Sequence, residues 1–169
     1  YITEHMQEKL NKKNVNLIIC HVGSGASISC VKNGECFATT MGLTPLDGLV
    51  MGTRSGAVDP SIIKFMADES GLNVDFITEE LNKKSGLLGI CGKNDFRDVL
   101  KLKESGDERG ILAYNIFRNS IINYIAEYYF KLLGNVDAIV FTAGVLENNA
   151  ILRADIVNRI STCIDMSLD

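Results

Sequence analysis

The sequence predicts an α/β fold in which helices flank a mixed β-sheet. Two apolar runs of strand length, 15–22 and 136–142, are typical of strands that are buried in a sheet. Residues 26–31 alternate between apolar and polar side chains, and several helical patterns occupy residues 59–134. Strands and helices share one chain of 169 residues, a length that suits a single domain with one core.

The chain begins with a predicted amphipathic helix over residues 1–13. Ile2, Met6 and Leu10 recur at a spacing of four residues, which places them on one face of a helix. No capping residue precedes this pattern, so the sequence starts abruptly, and we expect the helix to belong to a longer chain.

Three short strands are predicted next, joined by short turns. They cover residues 15–22, 26–31 and 36–40. Asn33-Gly34 lies between the second and third strands, and this dipeptide is typical of two-residue hairpin turns. Such a hairpin would pair residue 30 with 37 and residue 31 with 36, which places the thiols of Cys30 and Cys36 on opposite faces of the sheet.

Residues 41–58 contain four glycines, and their apolar residues follow neither a helical nor a strand period. This pattern predicts a functional loop rather than a linker. Beyond this loop, Asp59 and Asp107 each precede a helical pattern as a capping residue. The predicted helices run from Pro60 to about 71, over 74–83, over 95–103, from Asp107 to about 134 and over 149–161. A loop with three glycines, 86–92, is predicted between the second and third helices.

The composition excludes several classes of protein. The formal net charge is −4 and the basic residues are dispersed, so we expect no nucleic-acid partner. No apolar stretch reaches the roughly eighteen residues that span a bilayer, and the N-terminus lacks a signal-peptide pattern, so we expect a cytoplasmic protein that binds no membrane. The five cysteines form no CxxC pair and leave one over, which predicts reduced thiols rather than disulfides or a zinc site.

The stretch HVGSGASI, residues 21–28, places three small residues between two predicted strands. A Walker loop requires GxxxxGK[ST] and a dinucleotide fingerprint requires GxGxxG, each opening a helix. The stretch has neither spacing, lacks the lysine and continues into a strand, so both motifs are excluded. It is either a strand-turn-strand phosphate loop, of the kind found in actin-like ATPases and sugar kinases, or a tight turn without a ligand.

Two further features fit a phosphate site, although each also has an ordinary interpretation. In FTAGVLENN, residues 141–149, a strand ends in Ala-Gly before a helix starts, at the sheet edge where α/β folds bind ligands. The same stretch could be a plain β–α turn. Arg54 lies between glycines in MGTRSG, where its guanidinium could bind a phosphoryl group bidentately or simply face solvent.

Taken in order, five stretches of this sequence resemble the acetokinase family of short-chain carboxylate kinases over nearly the whole chain. They are HVGSGASI, TTMGLTPLDGLVMGTRSGAVDP, NKKSGLLGICG, NDFRDV and VDAIVFTAGVLEN. The resemblance implies an actin-like, ribonuclease-H-like fold and reversible phosphoryl transfer from ATP to acetate, giving acetyl phosphate and ADP. It also implies a Mg²⁺ requirement and a homodimer. We expect the long aromatic-rich helix to contribute to the dimer interface. Propionate or butyrate as acceptor, and a non-catalytic actin-like fragment that binds nucleotide or dimerises, are the alternatives.

The resemblance assigns roles to individual residues. Arg54 matches the arginine that stabilises the transition state, and His21 matches a phosphate contact. The positions matched to nucleotide binding are His21, Val22, Gly23, Ser24, Gly25, Asp95, Phe96, Arg97, Gly144, Val145, Leu146, Glu147 and Asn148. Among them, the turn 21–25 would contact the phosphates, with the backbone amides of 23–25 as donors, while 95–97 would lie beside the adenosine and 144–148 under the nucleotide. No residue is matched to a metal ligand.

The sequence departs from the family pattern in two motifs and in its extent. Ser24 stands where the usual HLGNG motif has asparagine. Leu146 stands where GIGEN has its second glycine, so we expect its side chain to fill space close to the nucleotide. The resemblance makes residues 1–169 a single partial domain, the nucleotide-side, C-terminal half of the family. We expect the N-terminal domain and the extreme C-terminus, beyond Leu168-Asp169, to be absent, and this segment alone to be inactive.

Overall fold

The computed structural model describes residues 1–164, so the boundary noted at Leu168-Asp169 lies outside the described residues. The chain divides into two compact units. The sheet unit comprises Tyr1–Thr40 and the chain from Arg118 onwards, and the helical unit comprises Met41–Phe117. The elements are α1 (Ile2–Lys9), β1 (Leu17–Val22), β2 (Ala26–Lys32), β3 (Glu35–Thr39), α2 (Ser61–Ser70), α3 (Val74–Lys83), α4 (Gly86–Cys91), α5 (Phe96–Glu104), α6 (Glu108–Lys131), β4 (Ala138–Thr142), α7 (Gly144–Glu147) and α8 (Ala150–Ile160).

The sheet unit is built on a four-stranded mixed sheet. Its strand order is β3-β2-β1-β4, in which β1 pairs antiparallel with β2 and parallel with β4. One hydrophobic cluster of this unit consists of Val15, Leu17, Ile19 and Val31, with Ile2, Met6, Ala138 and Val140 packed against it. Two residues of the predicted apolar stripe of α1 thus pack as expected, while Leu10 follows the helix and is 38% exposed.

A buried asparagine ties the beginnings of β1 and β4 to the β2–β3 turn. The side chain of Asn16 donates to the Asn135 carbonyl oxygen over 2.9 Å and accepts the Asn33 N–H over 2.8 Å. The backbone N–H of Asn16 donates to the Asp137 carboxylate over 2.7 Å, and Lys12 pairs with that carboxylate over 2.6 Å. Both polar atoms of the Asn16 side chain are therefore hydrogen-bonded, as a buried amide requires.

The hairpin prediction is correct in its turn and partly wrong in its register. Asn33-Gly34 has positive φ at both residues, as a type I′ turn requires. Val31 pairs with Cys36 as predicted, but Cys30 pairs with Ala38 rather than with residue 37, because a bulge interrupts the ladder between Cys30 and Val31. Cys30 is buried and Cys36 is exposed, and all five cysteines are free thiols.

The predicted capping residue of α6, Asp107, is confirmed, whereas Asp59 lies one residue before the N-cap position of α2, which Pro60 occupies. Asp95 occupies the N-cap position of α5. Side-chain oxygens of Asp59, Asp95 and Asp107 accept the backbone N–H groups of Ser61, Arg97 and Gly110 over 2.8, 2.9 and 2.7 Å. The first of these helices begins at Ser61, one residue later than predicted, with Pro60 preceding it.

The prediction of a loop over 86–92 is wrong, because these residues form α4. The N–H groups of Leu87 and Leu88, which begin a helix and lack partners within it, donate to the carbonyl oxygens of Met51 and Gly52 over 3.0 and 2.9 Å. A distant loop therefore stabilises this short helix, and local glycine spacing gives no sign of it. Within residues 1–164, no helix combines the length and the apolar character that crossing a membrane requires.

Candidate functional site

Two of the predicted motifs meet at one edge of the sheet unit. Strands β1 and β4 are parallel, and His21 pairs with Thr142 at their carboxyl ends. A Cβ atom built on Gly23 would lie 3.6 Å from the Ala143 Cβ and 3.9 Å from the Gly144 backbone nitrogen. The turn after β1 and the Ala-Gly step after β4 therefore leave the sheet side by side, at the edge where α/β sheets bind ligands.

The turn 23–25 offers two backbone donors rather than the three expected. The Gly23 N–H donates to the Gly25 carbonyl oxygen over 2.9 Å and is used within the turn. The N–H groups of Ser24 and Gly25 have no acceptor among the residues that the structure describes. His21 and Ser24 are exposed, so an imidazole and a hydroxyl stand beside the two amides. Val22 is fully buried and offers only its backbone.

The segment after β4 combines a strained alanine with an open glycine. Ala143 has φ 68° and ψ 165°, a conformation that almost only glycine adopts. The Glu147 carboxylate accepts the Ala143 N–H over 2.8 Å and the Thr142 hydroxyl over 3.0 Å. A Cβ built on Gly144 would have no neighbour within 4 Å, so the fold itself does not require glycine there.

The expectation that the Leu146 side chain fills space close to a nucleotide is wrong. Leu146 is 0% exposed, and α7, which carries it, packs against β1, β4 and α8. The sequence predicts only a turn before α8, where the structure has the short helix α7. Because α7 packs against these elements, the Leu146 side chain lies in the core of the sheet unit. Residues Val145 and Asn148 flank this buried position, and the Asn148 amide donates to the Gly144 carbonyl oxygen over 2.8 Å.

Arg54 belongs to the helical unit, on a loop that is fixed by its neighbours. The Ser85 N–H donates to the Thr53 carbonyl oxygen, and the Ser55 N–H donates to the Leu81 carbonyl oxygen, each over 2.9 Å. Within residues 1–164, the polar neighbours of the half-buried Arg54 guanidinium are neutral and distant: the Pro45 carbonyl oxygen at 3.5 Å and the Met51 sulfur at 3.6 Å. No carboxylate of the described chain pairs with it. Its charge is therefore not neutralised within the described residues, whereas its backbone is firmly held.

The segment 95–97 lies in the same unit and next to the loop of Arg54. A Cβ built on Gly52 would lie 2.7 Å from the Asn94 carbonyl oxygen. Arg97 pairs with the Asp95 carboxylate, with Nε at 3.0 Å and Nη2 at 2.5 Å from its oxygens. Hydrogen bonds from the Arg97 side chain and backbone lower the pKa of Asp95 from 3.8 to about 2.

Phe96 does not present its ring to solvent. It is 5% exposed, and its ring centroid lies 4.8 Å from that of Phe117 and 5.9 Å from that of Tyr114. The aromatic contacts anchor the start of α5 on α6. Any role of Phe96 toward a ligand therefore passes through its backbone or through the position of its neighbours.

The structure thus brings the predicted residues together in two groups, 21–25 with 144–148 in the sheet unit and 54 with 95–97 in the helical unit. Two interactions that hold these groups in place were not predicted from the sequence. One is the hydrogen bond between Ala143 and the Glu147 carboxylate, and the other is the contact of α4 with the loop of Arg54. A carboxylate one helical turn beyond a strand end was the available signal for the first. The second had no local signal. No group of three or more His, Cys, Asp or Glu side chains comes together as a metal site within residues 1–164.

Comparison with known proteins relates the whole chain to one family. The model of the Acetokinase family matches residues 1–169. Among curated proteins, the acetate kinase of Phytoplasma australiense is 49% identical over 162 residues, which cover 95% of this chain and 41% of that protein. The acetate kinase of Desulfovibrio desulfuricans is 52% identical over 139 residues, covering 82% of this chain and 34% of that protein. The chain therefore spans about two fifths of the length of such relatives or less.

Solved structures give the same relationship. The propionate kinase of Francisella tularensis has a TM-score of 0.92 and 45% identity, covering 96% of this chain and 42% of that one. The acetate kinase of Porphyromonas gingivalis has a TM-score of 0.90 and 37% identity, covering 96% of this chain and 41% of that one. The predicted fold class, a mixed sheet with flanking helices of the actin-like kind, is confirmed. The chain belongs to the acetokinase family.

Proposed function

We propose that this chain is the nucleotide-side part of a kinase that reversibly transfers the γ-phosphoryl group of ATP to acetate, giving acetyl phosphate and ADP. The observation that carries the proposal is the juxtaposition of the turn 23–25 with Ala143-Gly144 at the carboxyl ends of two parallel strands. Relatives with the name acetate kinase support the choice of substrate. A propionate kinase among the similar structures keeps propionate as the alternative acceptor.

The phosphates are proposed to bind at the turn after β1. The N–H groups of Ser24 and Gly25 have no acceptor within residues 1–164, and the absence of a Cβ at Gly23 and Gly25 lets an anion come close to the backbone. Ser24 carries a hydroxyl where the family usually has an amide, and an exposed hydroxyl can donate to a phosphate oxygen as well. His21, at the end of β1, is placed to add a further contact from its exposed ring.

Residues 144–148 of the sheet unit and, separately, residues 95–97 of the helical unit are proposed to contribute to nucleotide binding. The open space above Gly144 allows the nucleotide to approach the backbone there. Val22, Leu146 and Phe96 have buried side chains, so their contributions are made by the backbone and by packing. The Asp95 carboxylate is ionised near neutral pH and can accept hydrogen bonds from a ligand, and Arg97 lowers its pKa from 3.8 to about 2.

Arg54 is proposed to stabilise the transferring phosphoryl group. In-line transfer needs charge neutralisation on the equatorial oxygens rather than covalent help from the protein. A guanidinium that pairs with no carboxylate of the described residues, on a loop held by α3 and α4, has the charge and the fixed position for this role. Acetate is already a nucleophile as a carboxylate, so no strong general base is required.

We propose that the reaction requires Mg²⁺ and that the ion binds chiefly to the phosphates of ATP. The described residues do not fit a metal site made of protein ligands, since no suitable group of acidic or histidine side chains is present among them. Mg²⁺ commonly binds through substrate phosphates with few protein ligands, and it then neutralises phosphate charge. We propose further that the protein is a cytoplasmic homodimer, and that α6, which ends near the 75% exposed Phe130, contributes to its interface.

The test is acetyl phosphate formation by the full-length protein, compared with its Arg54→Ala and Arg159→Ala variants. We expect Arg54→Ala to lower kcat by about 10²- to 10⁴-fold with less than about threefold change in the Kd for ATP, as for a group used in the transition state. Arg159 is exposed on α8, and its substitution should leave both constants unchanged. An unchanged kcat for Arg54→Ala would contradict its role. ATP binding by the wild type without transfer to acetate, propionate or butyrate would favour the non-catalytic alternative.

A further inference from the structure

Ala143 is held in a conformation that alanine normally avoids. Its φ of 68° and ψ of 165° place it in a region that is populated almost only by glycine, because a Cβ atom clashes with the backbone there. The other non-glycine residues with positive φ within residues 1–164 have φ values of 47–55° and lie in turns. A residue stays in such a conformation only when its surroundings fix it, and strained residues concentrate at functional sites.

A single residue binds both backbone groups of Ala143. The Glu147 carboxylate accepts the Ala143 N–H over 2.8 Å, and the Glu147 backbone N–H donates to the Ala143 carbonyl oxygen over 2.8 Å. The same carboxylate oxygen also accepts the Thr142 hydroxyl over 3.0 Å. The backbone of Glu147 is anchored in turn, because the Arg153 guanidinium donates to its carbonyl oxygen over 2.7 Å and to that of Leu146.

We propose that Glu147 is a positioning residue for the nucleotide site: its carboxylate holds Ala143 in the strained conformation and thereby fixes the Gly144 backbone beside the turn 23–25. The inference rests on the proposed function for the identity of the ligand. Glu147 acts through the backbone of Ala143 rather than by placing its charge on the nucleotide.

The geometry explains why this position matters. The peptide that joins Ala143 to Gly144 is rotated by the Ala143 torsions, and Gly144 has the open space at which the ligand approaches. Without the carboxylate, Ala143 relaxes toward a common negative φ and the following peptide turns away from the Gly23 side of the edge. The Ala143-Gly144 backbone is then mobile before the nucleotide binds. Binding must also order this backbone, which lowers the affinity.

The first experiment compares Glu147→Ala with Glu147→Gln in the full-length protein. Glutamine keeps an acceptor oxygen for the Ala143 N–H but removes the charge. We expect Glu147→Ala to raise the Kd for ATP at least about tenfold and to speed hydrogen exchange of the Ala143 amide, measured by NMR without nucleotide, by a similar factor. Glu147→Gln should recover most of both effects. The control Glu79→Ala, which removes an exposed carboxylate paired with Lys83 on α3, should change neither.

The outcomes separate this inference from the proposed function. Equal losses of ATP affinity in Glu147→Gln and Glu147→Ala, with the Ala143 amide still protected in the glutamine variant, would overturn the inference, since the charge would then act on the ligand directly. Unchanged affinity and exchange in Glu147→Ala would also overturn it. If the wild type binds no ATP, the proposed function fails, and the exchange rates alone decide whether Glu147 holds Ala143.

A second pair of variants serves if Glu147→Ala does not fold. Glycine adopts the Ala143 torsions without strain, so the double variant Ala143→Gly with Glu147→Ala should fold and is compared with Ala143→Gly alone. We expect the Kd for ATP of the double variant to stay within about threefold of that of Ala143→Gly, because glycine does not need the carboxylate to hold its conformation. A tenfold or greater loss of ATP affinity between these two variants would contradict a role of Glu147 through Ala143.

Discussion

Replacing Leu146 by glycine restores the usual motif of the acetokinase family, yet we expect it to destabilise this protein strongly. Leu146 is 0% exposed, on a short helix that packs against β1, β4 and α8. Its side chain is part of the core of the sheet unit, so its removal leaves a buried cavity. The substitution therefore removes packing without opening room for a nucleotide.

The magnitude follows from two contributions. Truncating a buried leucine loses transfer free energy and leaves a cavity, which costs about 2–5 kcal/mol. Glycine within a helix costs about 1 kcal/mol more than alanine. We expect the free energy of unfolding to fall by about 3–6 kcal/mol, a large part of the roughly 5–15 kcal/mol that stabilises a typical protein.

Urea unfolding followed by circular dichroism measures this change. The matched control is Ile151→Gly on α8, because Ile151 is 59% exposed and its replacement mainly tests helix propensity. The control should lose no more than about 1 kcal/mol. A loss below about 1 kcal/mol for Leu146→Gly would refute the reasoning, as would a gain in ATP affinity without loss of stability.

Three further predictions test other parts of the structure. Gly144→Ala should leave urea unfolding nearly unchanged, because the added Cβ meets nothing within 4 Å, while the Kd for ATP rises about tenfold or more. Asn16→Ala should lower the free energy of unfolding by about 2–4 kcal/mol, since it leaves the Asn33 N–H and the Asn135 carbonyl oxygen without their partner. Asp95→Asn should lower it by less than about 1 kcal/mol at pH 7, because the Arg97 pair is largely exposed. That difference should vanish in unfolding curves taken toward pH 2: the pKa of Asp95 is lowered from 3.8 to about 2, so its stabilising effect is complete above pH 4–5 and is lost as the pH falls through about 2.

Much of the fold could be predicted because it depends on local signals. The runs 15–22 and 136–142 contain β1 and β4, and Asp59 and Asp107 mark the starts of α2 and α6. Apolar periodicity and caps act within a few residues of the chain, so a sequence carries them directly. The type I′ turn at Asn33-Gly34 is a further case, because positive φ is a property of these two residues themselves.

The elements that could not be predicted depend on contacts between distant residues. The helix α4 begins where its N–H groups meet the carbonyl oxygens of Met51 and Gly52, more than thirty residues earlier in the chain. The bulge between Cys30 and Val31 shifts a register that turn geometry alone would set otherwise. The burial of Leu146 depends on three other elements, so a motif comparison placed its side chain near the ligand instead of in the core.

The candidate site shows the same division. Residue types and order identified the turn 21–25 and the segment 144–148, and the parallel pairing of β1 and β4 is what makes them adjacent. The two donors that remain free in the turn depend on one hydrogen bond, from Gly23 to Gly25, which no sequence pattern reveals.

The central claim is that the turn after β1 binds the phosphates of a nucleotide. The most direct measurement is a titration of the protein with ADP, followed residue by residue through backbone amide shifts in ¹H–¹⁵N NMR spectra. We predict the largest shifts at Ser24 and Gly25, a smaller one at Gly23, whose N–H already donates to Gly25 over 2.9 Å, and none at the Asn33-Gly34 turn. Saturation with ADP that leaves the Ser24 and Gly25 amides unmoved would contradict the account.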